Sequence, residues 1–268
     1  MSLAAQDLAE ALAFAHELAN ASAKVTLSYF RRPLDIDNKD DGGRFDPVTR
    51  ADREAEGLIR DMIRARFPDD GIIGEEHGEE SPVGRRFWVI DPIDGTRAYI
   101  SGLPLWGTLI ALNDGERPIL GLIDHPATGE RFVGSPDGAF LKCKKLAVRP
   151  CAALRDATLS TTDPDLFAPG AEIAAFREVS AKVKLRRYGY DCYAYAMLAA
   201  GFIDIVVESG LKTFDVQALI PVIEGAGGII TDWRGGPAGD GGRILAAGDR
   251  RVHQEALSIL SSVVPVVT

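Results

Sequence analysis

From Gly71 the chain breaks into short β-rich runs: GIIGEE (71–76), RFWVID (86–91), WGTLIALN (106–113), PILGLID (118–124), RFVGS (131–135) and AFLKC (139–143). Gly, Pro and Asp separate them, and the spacing predicts a mostly antiparallel sheet. After about residue 150 the pattern changes. ATLSTT, VKLRRY, IDIVVES, GIITDW and RILAAG read as strands, and PGAEIAAFREV, DCYAYAMLAAG, TFDVQALIPVIEGAG and a last stretch over 250–262 read as helices. Such alternation predicts an α/β layer. The boundary falls near Leu146, dividing an N-terminal α+β half (1–146) from a C-terminal α/β half (147–268).

Two helices precede the strands. Leu8, Leu12, Ala15, Leu18, Ala19 and Val25 recur at helical spacing, so 4–30 reads as an amphipathic helix that ends before Pro33. Residues 35–47, DIDNKDDGGRFDP, read as a mobile polar loop, with Asp40 or Asp41 able to approach a site on closure. A second helix starts at Thr49, with Ala51, Ala55, Leu58, Ile59, Met62 and Ile63 as its buried stripe.

Composition narrows the function classes. Of 268 residues, 46% are hydrophobic and 26% charged, which supports a substantial core. The net charge of −9 argues against sequence-independent nucleic-acid binding and against an anionic membrane surface. No apolar run is long enough for a transmembrane helix. MSLAAQDLAEALAF has no basic leader and carries Asp7 and Glu10, so it does not read as a signal peptide. Cys143, Cys151 and Cys192 form no CxxC pair, which fits a reducing, cytoplasmic setting.

The acids are the informative residues. In VIDPIDGT (89–96), Asp91 stands at the end of an apolar strand and Asp94 three residues later. Pro92 biases Asp91 to an extended conformation, and Gly95 allows close backbone approach. TRAYISG can start a short helix whose first N–H groups suit a phosphate. The structural alternative is a turn with Asp94 as N-cap. Glu75 and Glu76 follow another short strand, Asp215 stands in the first turn of a helix, and Thr49-x-x-Asp52 fits a capping box. Each acid alone has an ordinary structural explanation; together, Glu75, Asp91, Asp94 and Asp215 suggest a hard-cation site. His16, His77, His125 and His253 are scattered without an HExxH motif, so an oxygen-only set points to Mg²⁺ rather than zinc. There is no P-loop motif and no GxSxG nucleophile elbow. Acids three apart, with a strand ending at the first, do not fit a haloacid-dehalogenase phosphatase, whose acids are two apart.

GEE (74–76), DPIDGT (91–96) and FDVQALIPVIEGAGG (214–228), in this order and spacing, resemble the three signatures of the inositol monophosphatase family. Phe214 replaces the usual tryptophan. The resemblance spans nearly the whole chain. It implies an α/β (α+β) layered α-β-α-β-α sandwich and Mg²⁺-dependent hydrolysis of a small phosphate monoester. By position, Glu75, Asp91, Asp94, Asp215 and the Ile93 carbonyl would bind two or three Mg²⁺. Gly95 and Thr96 would hold phosphate oxygens beside Asp94 and Asp215. The Thr96 hydroxyl, paired with Asp52, and Glu75 would orient the water. A homodimer is the family expectation. Metals would neutralise the phosphate, lower the pKa of water and stabilise the leaving alkoxide.

For the alcohol, GYDCYAYAMLAAG, ESGLKTFD and LIPVIEGAGG are most similar to the histidinol-phosphate phosphatase branch. Gly189, Tyr190 and Asp191 stand where inositol enzymes carry small residues. Asp191 and Glu208 would offer carboxylates to an ammonium and an imidazole; Asp191 fits a helix cap equally well. Arg186 and Arg187 read as surface residues rather than a second phosphate site. The alternatives are an inositol-1-monophosphatase or broad-range phosphatase, and a regulatory binding protein on the same fold.

Overall fold

The structure, a computed structural model, describes residues 5–33, 36–38 and 47–263. In chain order the first half holds α1 (Ala5–Tyr29), β1 (Ile36–Asn38), β2 (Pro47–Thr49), α2 (Arg50–Arg66), β3 (Gly71–Gly74), β4 (Gly78–Glu80), β5 (Phe87–Asp94), α3 (Thr96–Ile100), β6 (Gly107–Asn113), β7 (Pro118–His125), β8 (Glu130–Ser135), β9 (Gly138–Leu141) and β10 (Lys144–Lys145). The second holds β11 (Thr158–Thr161), α4 (Ala171–Lys182), β12 (Leu185–Tyr188), α5 (Cys192–Ala199), β13 (Ile205–Leu211), α6 (Thr213–Val216), α7 (Leu219–Gly225), β14 (Ile229–Asp232), β15 (Gly242–Ala247) and α8 (Arg250–Leu260).

The first sheet has eight strands in the order β10-β9-β8-β7-β6-β5-β3-β4. It is antiparallel except where β3 runs parallel to β5. The second sheet has five strands in the order β12-β11-β13-β15-β14, parallel on the β12 side and antiparallel on the β14 side.

Side-chain alternation along the strands sets the layers. Trp88, Ile90, Ile110 and Leu112 face α1 and α2, where they meet Phe14, Leu18, Ile59 and Ile63. Their neighbours Val89, Leu109 and Ala111 face the other way, onto Ala194, Leu198, Leu219 and Ile223 of α5 and α7. The same helices also cover Val206, Ile244 and Ala246 of the second sheet. Ile205, Val207, Leu245 and Ala247 face outward onto Phe176, Val179, Val252 and Ala256 of α4 and α8. The result is the expected α-β-α-β-α sandwich. The sheets change over between Lys145 and Thr158, but α5 and α7 bind both into one continuous core.

The middle layer sits very close to the first sheet. Gly121 on β7 pairs in register with Gly134 on β8. A Cβ at Gly121 would overlap the Ala218 carbonyl, and one at Gly134 would overlap the Pro221 backbone.

Four local readings change. Part of the polar 35–47 loop is an antiparallel ribbon, β1 with β2; Asp40 and Asp41 lie outside the described residues. Ala51, Ala55, Ile59 and Ile63 are buried as expected, but Leu58 is 38% exposed, and the buried face of α2 also carries Asp52, Glu56 and Arg60. The helix expected over 213–227 breaks into α6 and α7 around Gln217 and Ala218. Strand β5 does not stop at Asp91 but continues through Pro92 to Asp94.

Candidate metal and active site

In a regular strand, residues three apart point to opposite faces. Strand β5 avoids this with a bulge: Asp91 pairs with Leu109, but Asp94 pairs with Gly107. The extra residue brings the two acids to the same side. Pro92, which has no N–H to contribute to a ladder, lies inside this irregular stretch, and its carbonyl accepts from the Thr108 hydroxyl at 2.8 Å. The Ile93 N–H folds back onto Asp91 Oδ1 at 3.0 Å.

The chain then turns through Gly95, at φ 84°, into α3. Gly95 is the N-cap residue, so Asp94 does not cap α3. Its Oδ2 instead accepts from the N–H of Cys192 at 2.7 Å, at the start of α5. Asp191 occupies the N-cap position of α5, yet its side chain makes no capping bond. Its backbone lies at φ 45°, a conformation costly for a residue with a Cβ. The Asp191 carboxylate packs against Gly95, where a Cβ would come within 3.0 Å of it.

Asp215 sits in the first turn of α6, and its Oδ2 accepts from Lys212 N–H at 2.6 Å. Asp91, Asp94 and Asp215 thus each have one oxygen fixed by a main-chain N–H. Ligand oxygens of the three lie within 4.8 Å of one another. Burial, followed by repulsion from Glu75, Asp94 and Asp215, pushes the Asp91 pKa up. Asp94 is pushed up to about 7 by burial and then by Asp191. Asp215 also rises, through burial and then Asp94. Among the described residues none of the three is ion-paired. Oxygen donors this close, with Asp91 buried, Asp94 and Asp215 half-buried and none ion-paired, fit a hard cation.

The remaining predicted residues gather around this cluster to different degrees. Glu75, Gly95, Thr96, Asp191 and Asp215 line a cavity of about 340 Å³ together with Lys212. A space of about 20 Å³ beneath it, the size for one water, is bounded by Asp94, Asp191, Tyr195, Glu208 and Asp215. Glu208 is deeply buried and accepts from Thr161 Oγ1 (3.2 Å), Thr162 N (2.6 Å) and Thr162 Oγ1 (3.0 Å). Burial, opposed by the Thr162 hydrogen bonds, pushes it up to about 8; Asp191 rises to about 6 through burial opposed by Arg97.

Three predicted relationships differ from expectation. The Thr96 hydroxyl donates to the Ile93 carbonyl at 3.1 Å, and Asp52 Oδ2 is bonded to Thr49 Oγ1 at 2.5 Å. The Thr96 hydroxyl thus turns toward Ile93, and Asp52 closes the predicted capping box through one of its two oxygens. Gly189 and Tyr190 line neither space; the Tyr190 hydroxyl accepts from Arg187 at 2.8 Å on the exposed β12 edge. The Ile93 carbonyl is buried beside the acids and already accepts the Thr96 proton. Tyr195, Thr162 and Lys212 belong to the site but carried no sequence signal of their own.

A model of the inositol monophosphatase family matches residues 7–264. The chain belongs to that family. A chloroplastic bifunctional phosphatase of Arabidopsis thaliana is 46% identical over 262 residues, covering 92% of this chain and 74% of that protein. A histidinol-phosphatase of Chlorobaculum parvum is 39% identical over 226 residues, 84% and 86% of the two chains. A solved inositol monophosphatase from Zymomonas mobilis superposes with a TM-score of 0.85 at 42% identity, over 97% of this chain and 100% of the other. This inositol monophosphatase family member is a metal-dependent phosphoric monoester hydrolase acting on small phosphate esters. Among the described residues no helix is long and apolar enough to cross a membrane.

Proposed function

We propose that this enzyme is a cytoplasmic, homodimeric L-histidinol-phosphate phosphatase that uses two or three Mg²⁺. Asp191 carries the reading. With Asp94 capping α5, the Asp191 carboxylate is released from that task, and its left-handed backbone turns it into the cavity beside Gly95. A neutral polyol needs no such acid, whereas the ammonium of histidinol phosphate does. Similarity to proteins named histidinol-phosphatase, at 39, 35 and 34% identity, supports the same alcohol.

Glu75, Asp91, Asp94, Asp215 and the Ile93 carbonyl would hold the ions; a carbonyl oxygen keeps a second lone pair after accepting from Thr96. Bound Mg²⁺ would supply charge neutralisation and lower the pKa of water. Gly95 and Thr96 N–H groups hold phosphate oxygens. Thr96, Asp52 and Glu75 orient the water that attacks phosphorus in line; the bridging P–O bond breaks, the histidinol oxygen departs with its electron pair, and that oxygen takes up the proton the water loses. Asp191 receives the ammonium, and Glu208, anchored by Thr161 and Thr162, supports the imidazole side.

Phosphate release with Mg²⁺ from histidinol phosphate, inositol-1-phosphate, phosphoadenosine phosphate and fructose-1,6-bisphosphate tests the reading. Histidinol phosphate should give the highest kcat/KM. Asp191→Ala should lower that value by about 10- to 100-fold, the worth of a charge-assisted hydrogen bond, and inositol-1-phosphate turnover by much less. A better rate on inositol-1-phosphate, or equal losses on both substrates, rejects it.

A further inference from the structure

Helix α2 buries three charged residues at intervals of four: Asp52, Glu56 and Arg60, at 0%, 0% and 2% exposure. This spacing puts them on one helix face. Asp52 closes the cap, but nothing in the proposed reaction uses the other two. Buried ion pairs add little stability over apolar residues of similar volume, so the pair calls for another explanation.

The explanation lies opposite Glu56. Residues 75–77 form the tight connection between β3 and β4, whose pairing ends at Gly74 and Gly78. Glu56 Oε2 accepts from the N–H of Glu76 at 2.7 Å, and Oε1 accepts from the N–H of His77 at 3.0 Å. Arg60 Nε donates to Glu56 Oε1 at 2.8 Å and Nη1 to Glu80 Oε1 at 2.7 Å, while Nη2 reaches the Gly78 carbonyl. The connection is therefore gripped by two amides and one carbonyl. Gly74 permits this approach, since a Cβ there would overlap the Glu56 carboxylate. Glu75 is left between a strand end, where Gly74 pairs with Ile90, and the clamped amides. Its backbone is thus held on both sides, and its carboxyl lies close enough to Asp91 to hydrogen-bond with it.

We infer that Glu56, neutralised by Arg60, is a positioning residue that fixes the Glu75 turn and thereby sets the affinity of the metal site. The inference rests on the metal reading above for its consequence and on the hydrogen bonds alone for the clamp. Partners that orient metal ligands are typically worth about 10- to 100-fold in metal affinity.

The full-length protein is tested by Mg²⁺ calorimetry and by amide hydrogen exchange on metal-free samples. Glu56→Gln retains one acceptor but turns an NH₂ group toward the second amide. Its Mg²⁺ dissociation constant should rise by about tenfold, and the Glu76 and His77 amides should lose the protection they have in wild type. Glu56→Gln/Arg60→Gln, which leaves no unbalanced buried charge, should show the same two changes and covers failure of the single variant to fold. A folded variant that melts lower but binds Mg²⁺ as wild type does overturns the inference, because a merely stabilising pair behaves so. Unprotected Glu76 and His77 amides in wild type also overturn it. If wild type binds no Mg²⁺, the metal reading fails, and the amide exchange still decides the clamp.

Discussion

Glu56 and Asp204 on one side, and Asp91, Asp94 and Asp215 on the other, are carboxylates wholly or partly withdrawn from water under opposite terms. Glu56 lies 2.8 Å from the Arg60 guanidinium, and Asp204 lies 2.5 Å from that of Arg149. Each member of the second group accepts a main-chain N–H, from Ile93, Cys192 and Lys212, and among the described residues none forms an ion pair. The same chain thus pairs arginines directly with its structural acids and, among the described residues, forms no such pair with the three acids that converge. An internal guanidinium would occupy the space and the charge that a dissociable cation needs. The contrast separates acids that organise the fold from acids that wait for a solute.

The sharpest way to break this contrast is to remove a charge from the unpaired set. Asp91→Asn and Asp215→Asn should each lower kcat/KM by more than about 100-fold, beyond the range for residues that only orient ligands, without loss of fold by circular dichroism. Full Mg²⁺-dependent turnover in either would remove these residues from the site.

Withholding the metal should reveal the stored repulsion. A carboxyl whose folded-state pKa is raised binds its proton more tightly when folded, so its stabilising effect is present at low pH and lost as pH rises through that value. Asp94 at about 7 and Glu208 at about 8 are raised, whereas His125, lowered to about 4 by burial, gives the opposite slope only below its unfolded value. Between about pH 6.5 and 8.5, the melting temperature in EDTA should therefore fall, and saturating Mg²⁺ should flatten the decline. A metal-free protein equally stable across that interval would contradict the picture.

The paired set should respond in stability alone. Arg149→Met leaves Asp204 buried with the Thr158 N–H as its remaining partner. It should cost about 2 kcal/mol in urea unfolding, below the usual cost of breaking a fully buried pair because Arg149 is half-exposed. Mg²⁺ affinity should not change, and a shift in it would blur the two classes. The smallest effect is expected at Thr49→Ala, about 1 kcal/mol for a lost cap, read from the same denaturation curves.

Sequence carried the linear signals well. DPIDGT, the short strands after Gly71 and the Thr49 capping box correspond to β5, the first sheet and the start of α2, because each depends on neighbours a few residues away. The layer order came from resemblance to a family, not from periodicity. What stayed hidden joins distant segments. Asp94 caps a helix 98 positions later, which no local pattern announces. Glu56 and Arg60 lie outside the apolar stripe read for this helix, and the approach of the 75–77 turn makes them interior. The β5 bulge is equally a product of pairing: Pro92 suggested a strand end, but β6 carries the ladder past it.

The paired glycines beneath α7 carry a consequence for engineering. Gly121 and Gly134 line no part of the 340 Å³ cavity, yet they determine how deeply α7 seats on the first sheet. Asp215 enters the site from the segment that leads into this helix, while Asp91 and Asp94 enter from the sheet. The absent methyl groups therefore act as a spacer of zero thickness between two parts of one coordination set. A library that replaces strand glycines to raise thermostability would include such positions, and would disturb catalytic registry without altering a single residue of the active site.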